Sequence, residues 1–89
     1  MGNQNRRASP ELLRRLSINL KRLRKERGYT QERLAKICGF TANYISNVEQ
    51  ETVNISLSNL EALTIGLGCG FDELLLTSVN QGLIRGPKR

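Results

Sequence analysis

The amino-acid sequence predicts an all-α domain of five short helices. Three observations lead there. Apolar residues recur at three- and four-residue spacing, which marks helix faces and leaves no strand candidate. A Ser or Thr stands just before each of the first four apolar stripes, where a hydroxyl can cap the first amides of a helix. Gly28 and Gly39 stand just after the first two stripes, where a helix can stop.

The elements follow in order. Met1–Ala8 has no apolar periodicity and is expected to be a flexible basic arm carrying Arg6 and Arg7. Ser9-Pro10 is a helix start, a capping hydroxyl followed by proline at the first helical position. Leu13, Leu16, Leu20 and Leu23 form one apolar stripe, widened by Leu12, and Gly28 closes that helix. Thr30 caps a second helix over Gln31–Cys38, with Leu34, Ala35 and Cys38 inward and Ile37 beside them. Thr41 caps a third over Ala42–Gln50, with Ile45 and Val48 inward. Glu51–Ile55 reads as a loop. Ser56 or Ser58 caps a fourth helix running to about Leu67, with Leu57, Leu60, Leu63 and Ile65 available for packing and Gly66, Gly68 and Gly70 breaking it up. Phe71–Leu76 is a last short helix. The organisation is an arm over 1–8, a domain over 9–77 and a tail over 78–89, in which Leu83 and Ile84 can dock.

Composition narrows the function. Eighty-nine residues make one domain, of a size that buries about two-thirds of its unfolded surface. Fourteen Lys and Arg against eight Asp and Glu give +6, a balance that favours a polyanionic partner, nucleic acid or an anionic membrane surface. The chain has no histidine, so zinc sites of Cys and His and Ser–His or Cys–His pairs are excluded. Cys38 and Cys69 lie in apolar contexts and read as reduced, buried thiols of a cytosolic protein. No apolar run approaches the roughly 20 residues of a membrane span. No secretory signal is recognisable, so the expected location is the cytoplasm, at the nucleoid.

Gln31–Val48 acts as one unit. Two short helices joined by a tight turn need a small residue where they cross, which is Ala35. They need a turn residue that tolerates positive φ, which is Gly39. They need apolar anchors facing back to the core, which are Ile45 and Val48. Gly28-Tyr29-Thr30-Gln31-Glu32-Arg33-Leu34-Ala35, Gly39-Phe40-Thr41 and Tyr44-Ile45-Ser46-Asn47-Val48-Glu49 resemble the phage-repressor and Cro helix-turn-helix family, also called the XRE family. Leu60-Glu61-Ala62-Leu63 and Phe71-Asp72-Glu73-Leu74-Leu75 extend the resemblance, which covers roughly residues 15–76.

The resemblance implies a five-helix, lambda-repressor-like domain that binds a two-fold DNA operator as a homodimer. It places Ala42, Asn43, Ser46 and Asn47 on the base-reading face, where Asn pairs with adenine and Ala touches a thymine methyl. It assigns Gln31, at a helix N-terminus, to a phosphate, and Thr41 and Tyr44 to the DNA backbone. Arg24 and Glu49 match a partly buried ion bridge between the first and third helices. A Cro-like repressor or a restriction–modification controller protein fits this size.

Charge is unevenly spread. Residues 1–36 hold eleven Lys and Arg and three Glu, whereas residues 37–84 hold five acids and no Lys or Arg. The reading helix and the loop after it therefore lack a cation. Two readings follow. In one, Arg6, Arg7, Arg14, Arg15 and Lys36 supply attraction, with Arg6 and Arg7 able to reach a groove as a basic arm, while neutral groups, including Asn54, Ser56 and the backbone amides between them, make the close contacts. In the other, the domain serves protein binding and its basic first helix is only a solvated face.

The leading expectation is a sequence-specific transcriptional regulator with double-stranded DNA and a second copy as partners. No cofactor, metal or small-molecule ligand is expected. The alternative is a protein-interaction module, such as the antitoxin of a toxin–antitoxin pair. An enzyme is not expected, because no paired-carboxylate site and no phosphate-cradling glycine loop is present.

Overall fold

A helix leaves its first amides without partners, and this chain answers with hydroxyls at four of its five helix starts. Ser9 Oγ accepts from Leu12 N at 3.1 Å, Thr30 Oγ1 from Arg33 N at 3.0 Å, Thr41 Oγ1 from Tyr44 N at 3.0 Å and Ser56 Oγ from Asn59 N at 3.1 Å. Each such cap contributes about 1 kcal/mol. The computed structural model describes residues 6–76. Among them run α1 (Pro10–Glu26), α2 (Gln31–Cys38), α3 (Ala42–Glu49), α4 (Leu57–Leu67) and α5 (Phe71–Leu75), with no strand. Residues 1–5 of the expected arm, Thr77, and the tail with Leu83 and Ile84 lie outside the described residues.

The long α1 is the spine. It packs against α3 on one side and α5 on the other, while α2 packs on α3 and α4, and α4 on α5. Their apolar faces meet in one core. Leu16, Leu20 and Leu23 come from α1, Leu34 and Ala35 from α2, Ile45 and Val48 from α3, Leu60, Leu63 and Leu67 from α4, and Leu74 from α5.

Three expectations need correction. Leu57 and Ile65, expected to pack, are 76% and 74% exposed. The inward face of α4 is instead Leu60, Leu63, Thr64 and Leu67. The four-residue spacing of Leu57, Glu61 and Ile65 puts those three on another face of the helix. Gly66 does not break α4 but lies inside it. A Cβ there would collide with Cys38 Sγ, so the missing side chain is what lets α4 approach α2. Ile37, beside the inward residues of α2, is exposed.

Polar groups are built into this core. Asn19 is fully buried, and its Nδ2 donates to the Leu74 carbonyl at 2.9 Å. It thereby ties α5 to the middle of α1. Arg27 Nε donates to the Leu67 carbonyl at 2.8 Å, closing the end of α4. Cys38 and Cys69 are free thiols, each half-buried. Burial pushes both thiol pKa values up; at Cys69 the Glu73 and Asp72 carboxylates add to that rise and Arg27 opposes it.

Candidate nucleic-acid interface

The turn between α2 and α3 decides how α3 is presented. Gly39 takes φ +81°, a conformation that costs other residues about 1–2 kcal/mol. Phe40 N–H then donates back to the Ala35 carbonyl at 2.8 Å. Ala35 is 2% exposed, so α3 lies close against α2. From this turn α3 sends Ile45 and Val48 into the core. Asn43 is exposed, and Ala42, Ser46 and Asn47 are half-buried. The outward side of the helix therefore carries amides, a hydroxyl and a methyl, and no charge.

Three braces hold α3 in place. Arg24 Nε donates to Glu49 Oε2 at 2.6 Å and Arg24 Nη2 to Glu49 Oε1 at 3.2 Å, a two-pronged ion pair joining α1 to the end of α3. Its side chains are 10% and 2% exposed. Arg24 Nη1 also donates to the Tyr29 carbonyl at 2.8 Å. The second brace is aromatic: the Phe40 and Tyr44 rings pack tilted with centroids 4.8 Å apart. The third is Asn59 Nδ2, which donates to Tyr44 Oη at 2.9 Å and links α3 to the first turn of α4. The Tyr44 hydroxyl thus accepts from inside the fold and keeps its own proton to donate.

The other expected contact residues are distributed as follows. Gln31 lies at the start of α2, but its Nε2 donates to Glu49 Oε1 at 3.0 Å, so one amide proton is committed to the ion pair. Ser46 Oγ accepts from Gln50 Nε2 at 2.8 Å. Thr41 and Ser56, both exposed, cap α3 and α4. Arg14 is exposed and borders a shallow groove with Ser17, Ile18, Lys21 and Glu51, toward the far end of α3. Arg15 pairs with Glu11 at 2.9 Å on the surface of α1. Lys36 is exposed on the last turn of α2. Asn54 is exposed too, and its Oδ1 accepts from Ala8 N at 2.9 Å.

Two contributors are invisible to the sequence reading. Asn59 gave no signal beyond its place three residues after a capping serine. Glu51, with φ +66°, is a non-glycine residue in the left-handed region at the exit of α3. Its Oε2 accepts from Ser17 Oγ at 3.4 Å. Among the described residues no group of three or more His, Cys, Asp or Glu is placed to hold a metal ion. None of the described helices is long and apolar enough to cross a membrane.

Two short helices joined by a glycine turn, the second held with a neutral polar face outward, define a helix-turn-helix domain. The chain belongs to the helix-turn-helix family HTH_3, which it matches over residues 20–74. It is similar to a hypothetical transcription factor of Neisseria meningitidis, with 41% identity over 61 residues, 68% of this chain and 58% of that protein. The match thus spans less than two-thirds of that relative. The crystal structure of the Neisseria factor has a TM-score of 0.73 at 37% identity, over 79% of this chain and 80% of that one. Control protein C.MunI of a Mycoplasma species is 39% identical over 61 residues, 67% of this chain and 82% of its own length. The restriction–modification controller protein C.Esp1396I, solved as a tetramer on its natural 35 base-pair operator, has a TM-score of 0.70 at 34% identity, over 76% and 93% of the two chains.

Proposed function

We propose that this protein is a sequence-specific, DNA-binding transcriptional regulator that acts as a homodimer on a two-fold operator in the cytoplasm. The observation that carries the reading is the uncharged outward face of α3, with Asn43 exposed at its start, held by the Arg24–Glu49 ion pair. A surface helix fixed this firmly, yet with no charge on its outer face, suits reading base edges in a major groove. The operator-bound relative supports the same use of the fold.

The chemistry divides by residue. Asn43 and Asn47 pair with adenine edges, and Ala42 and Ser46 make the shorter base contacts. Thr41, Tyr44, Ser56 and the remaining donor of Gln31 hold phosphates, helped by the N-termini of α2 and α4. Arg14, Arg15 and Lys36 add long-range attraction. The protein binds and does not catalyse.

The second copy is proposed to sit on α4 and α5. Leu57, Phe71 and Leu75 line a groove between α4 and α5, with exposed Ile65 on α4 and exposed Leu76 just after α5. Exposed apolar surface of this kind marks an association site. A two-fold pairing there presents two copies of α3 to one side of the duplex, with centres about 34 Å apart.

Selection of bound duplexes from a random pool tests the proposal, followed by anisotropy titration of the winner at roughly 50 and 200 mM salt. The expected result is an inverted repeat with half-sites one helical turn apart and affinity that falls steeply with salt. A pool without enrichment, or binding indifferent to salt, refutes it.

A further inference from the structure

The reading side of the domain has a charge problem. From residue 37 to residue 84 the sequence has no Lys or Arg, so α3, the loop after it and the start of α4 bring no cation to the phosphates beside the groove. One long-range hydrogen bond addresses this. Ala8 N donates to Asn54 Oδ1 at 2.9 Å, across 46 residues of sequence. Asn54 stands in the loop between α3 and α4. That loop is fastened to the end of the reading helix, since both Thr52 N and Thr52 Oγ1 donate to the Asn47 carbonyl at 3.0 Å. Asn54 follows Thr52 by two residues, at most about 7 Å of chain. Arg7 and Arg6 precede Ala8 by one and two residues, and both are exposed. The two arginines are thereby tethered to the loop that leaves the end of the reading helix. Ala8 is itself half-buried, in a cleft shared with Leu12, Leu13 and Ile55.

We propose that Arg6 and Arg7, clipped to the α3–α4 loop by the Ala8–Asn54 hydrogen bond, supply the cationic phosphate contacts that α3 and the loop after it lack. Asn54 is then a positioning residue for the arm and does not itself touch DNA. The inference rests on the DNA-binding reading above and adds to it where the cations come from.

Salt titrations of the full chain on the selected operator test it. Each phosphate contact contributes about 0.9 to the slope of log affinity against log salt. Arg6→Ala/Arg7→Ala should lower that slope by about 1.8 per protomer while leaving the preference for operator over scrambled duplex unchanged. Arg6→Lys/Arg7→Lys should keep the slope. Asn54→Ala leaves both charges in place. It should weaken binding when Arg6 and Arg7 are present and have no further effect when both are alanine. If the wild type binds with a steep slope and the double alanine variant matches it, the arm inference is overturned and the DNA reading stands. Equal harm from Asn54→Ala in both backgrounds also overturns it. If the wild type itself does not bind, the DNA reading falls first.

Discussion

Glu49 is the side chain whose removal should be felt most. It is 7% exposed and accepts three hydrogen bonds, two from Arg24 and one from Gln31. Replacing it with leucine strands the Arg24 guanidinium in the core with only the Tyr29 carbonyl as partner. Breaking one side of a buried pair costs about 3–5 kcal/mol. A chain of this length has a total stability of about 4–13 kcal/mol, so the variant approaches the edge of folding. Arg24→Met alone should cost a similar amount, by stranding the carboxylate. The double variant Arg24→Met/Glu49→Leu removes both charges together. It should cost only about 1–3 kcal/mol, largely from leaving the Tyr29 carbonyl without its donor. Urea denaturation followed by circular dichroism measures all four proteins. With a slope of at most about 3 kcal/mol per molar, each single variant should lower the midpoint by at least about 1 M. Should the double variant lose the sum of the two single losses, the pair is uncoupled and the account of α3 as braced by a buried bridge is wrong.

Three further outcomes are expected. Asn43→Ala should cost about 1–3 kcal/mol on the selected operator and flatten discrimination at one base pair of each half-site, measured by competition with singly mutated duplexes; an unchanged profile removes Asn43 from the reading face. Gly66→Ala should lower thermal stability because the new methyl meets Cys38 Sγ and Ile37 Cγ2. In a Cys38→Ala background the same change should stabilise, since alanine is favoured over glycine by about 1 kcal/mol inside a helix; loss of stability in both backgrounds refutes the close approach. Cys38 and Cys69 should react with iodoacetamide more slowly in the folded chain than in urea, with inflections above pH 9.0. The folded state holds these protons more tightly, so their contribution to stability is complete below the unfolded pKa and is lost as pH rises through the folded values. An inflection below pH 9 contradicts burial as the cause.

How far the sequence could be read depends on what each signal measures. Hydroxyl caps are local chemistry, so Ser9, Thr30 and Thr41 located the first three helix starts, whereas Ser56 and Ser58 competed for the fourth, where the structure has Ser56 Oγ accept from Asn59 N. Apolar spacing reports that a face exists and not what it meets. On α1 one stripe of leucines left a single inward solution. On α4 apolar residues occur nearly all round, and the sequence pattern gave no means to separate Leu60 and Leu63, which face the core, from Leu57 and Ile65, which do not. Gly66 misled for a related reason: a helical glycine is read as a breaker unless the neighbouring helix is known. Asn19 escaped notice because a polar residue beside a leucine stripe looks solvent-facing until the carbonyl of Leu74, 55 residues away, is brought to it.

The candidate interface divides along the same line. The identities on the reading face, and the lack of charge there, are properties of the sequence itself. What completes them is not local. The place of Gln31 at a helix start is local, but its hydrogen bond to Glu49, 18 residues on, is not. Tyr44 depends on Asn59 for its orientation, and the path out of α3 depends on Glu51 adopting a conformation usually left to glycine. The charge map made the absence of cations plain between residues 37 and 84. It gave no hint that the arm is fastened to that stretch through Asn54. A helix that reads bases without a positive charge discriminates through hydrogen-bond geometry, and long-range attraction can come from elsewhere on the surface. Dividing the two tasks between α3 and a clipped arm makes a clear separation: changes at Asn43 should alter which sequence is bound, and changes at Arg6 and Arg7 should alter how strongly any sequence is bound.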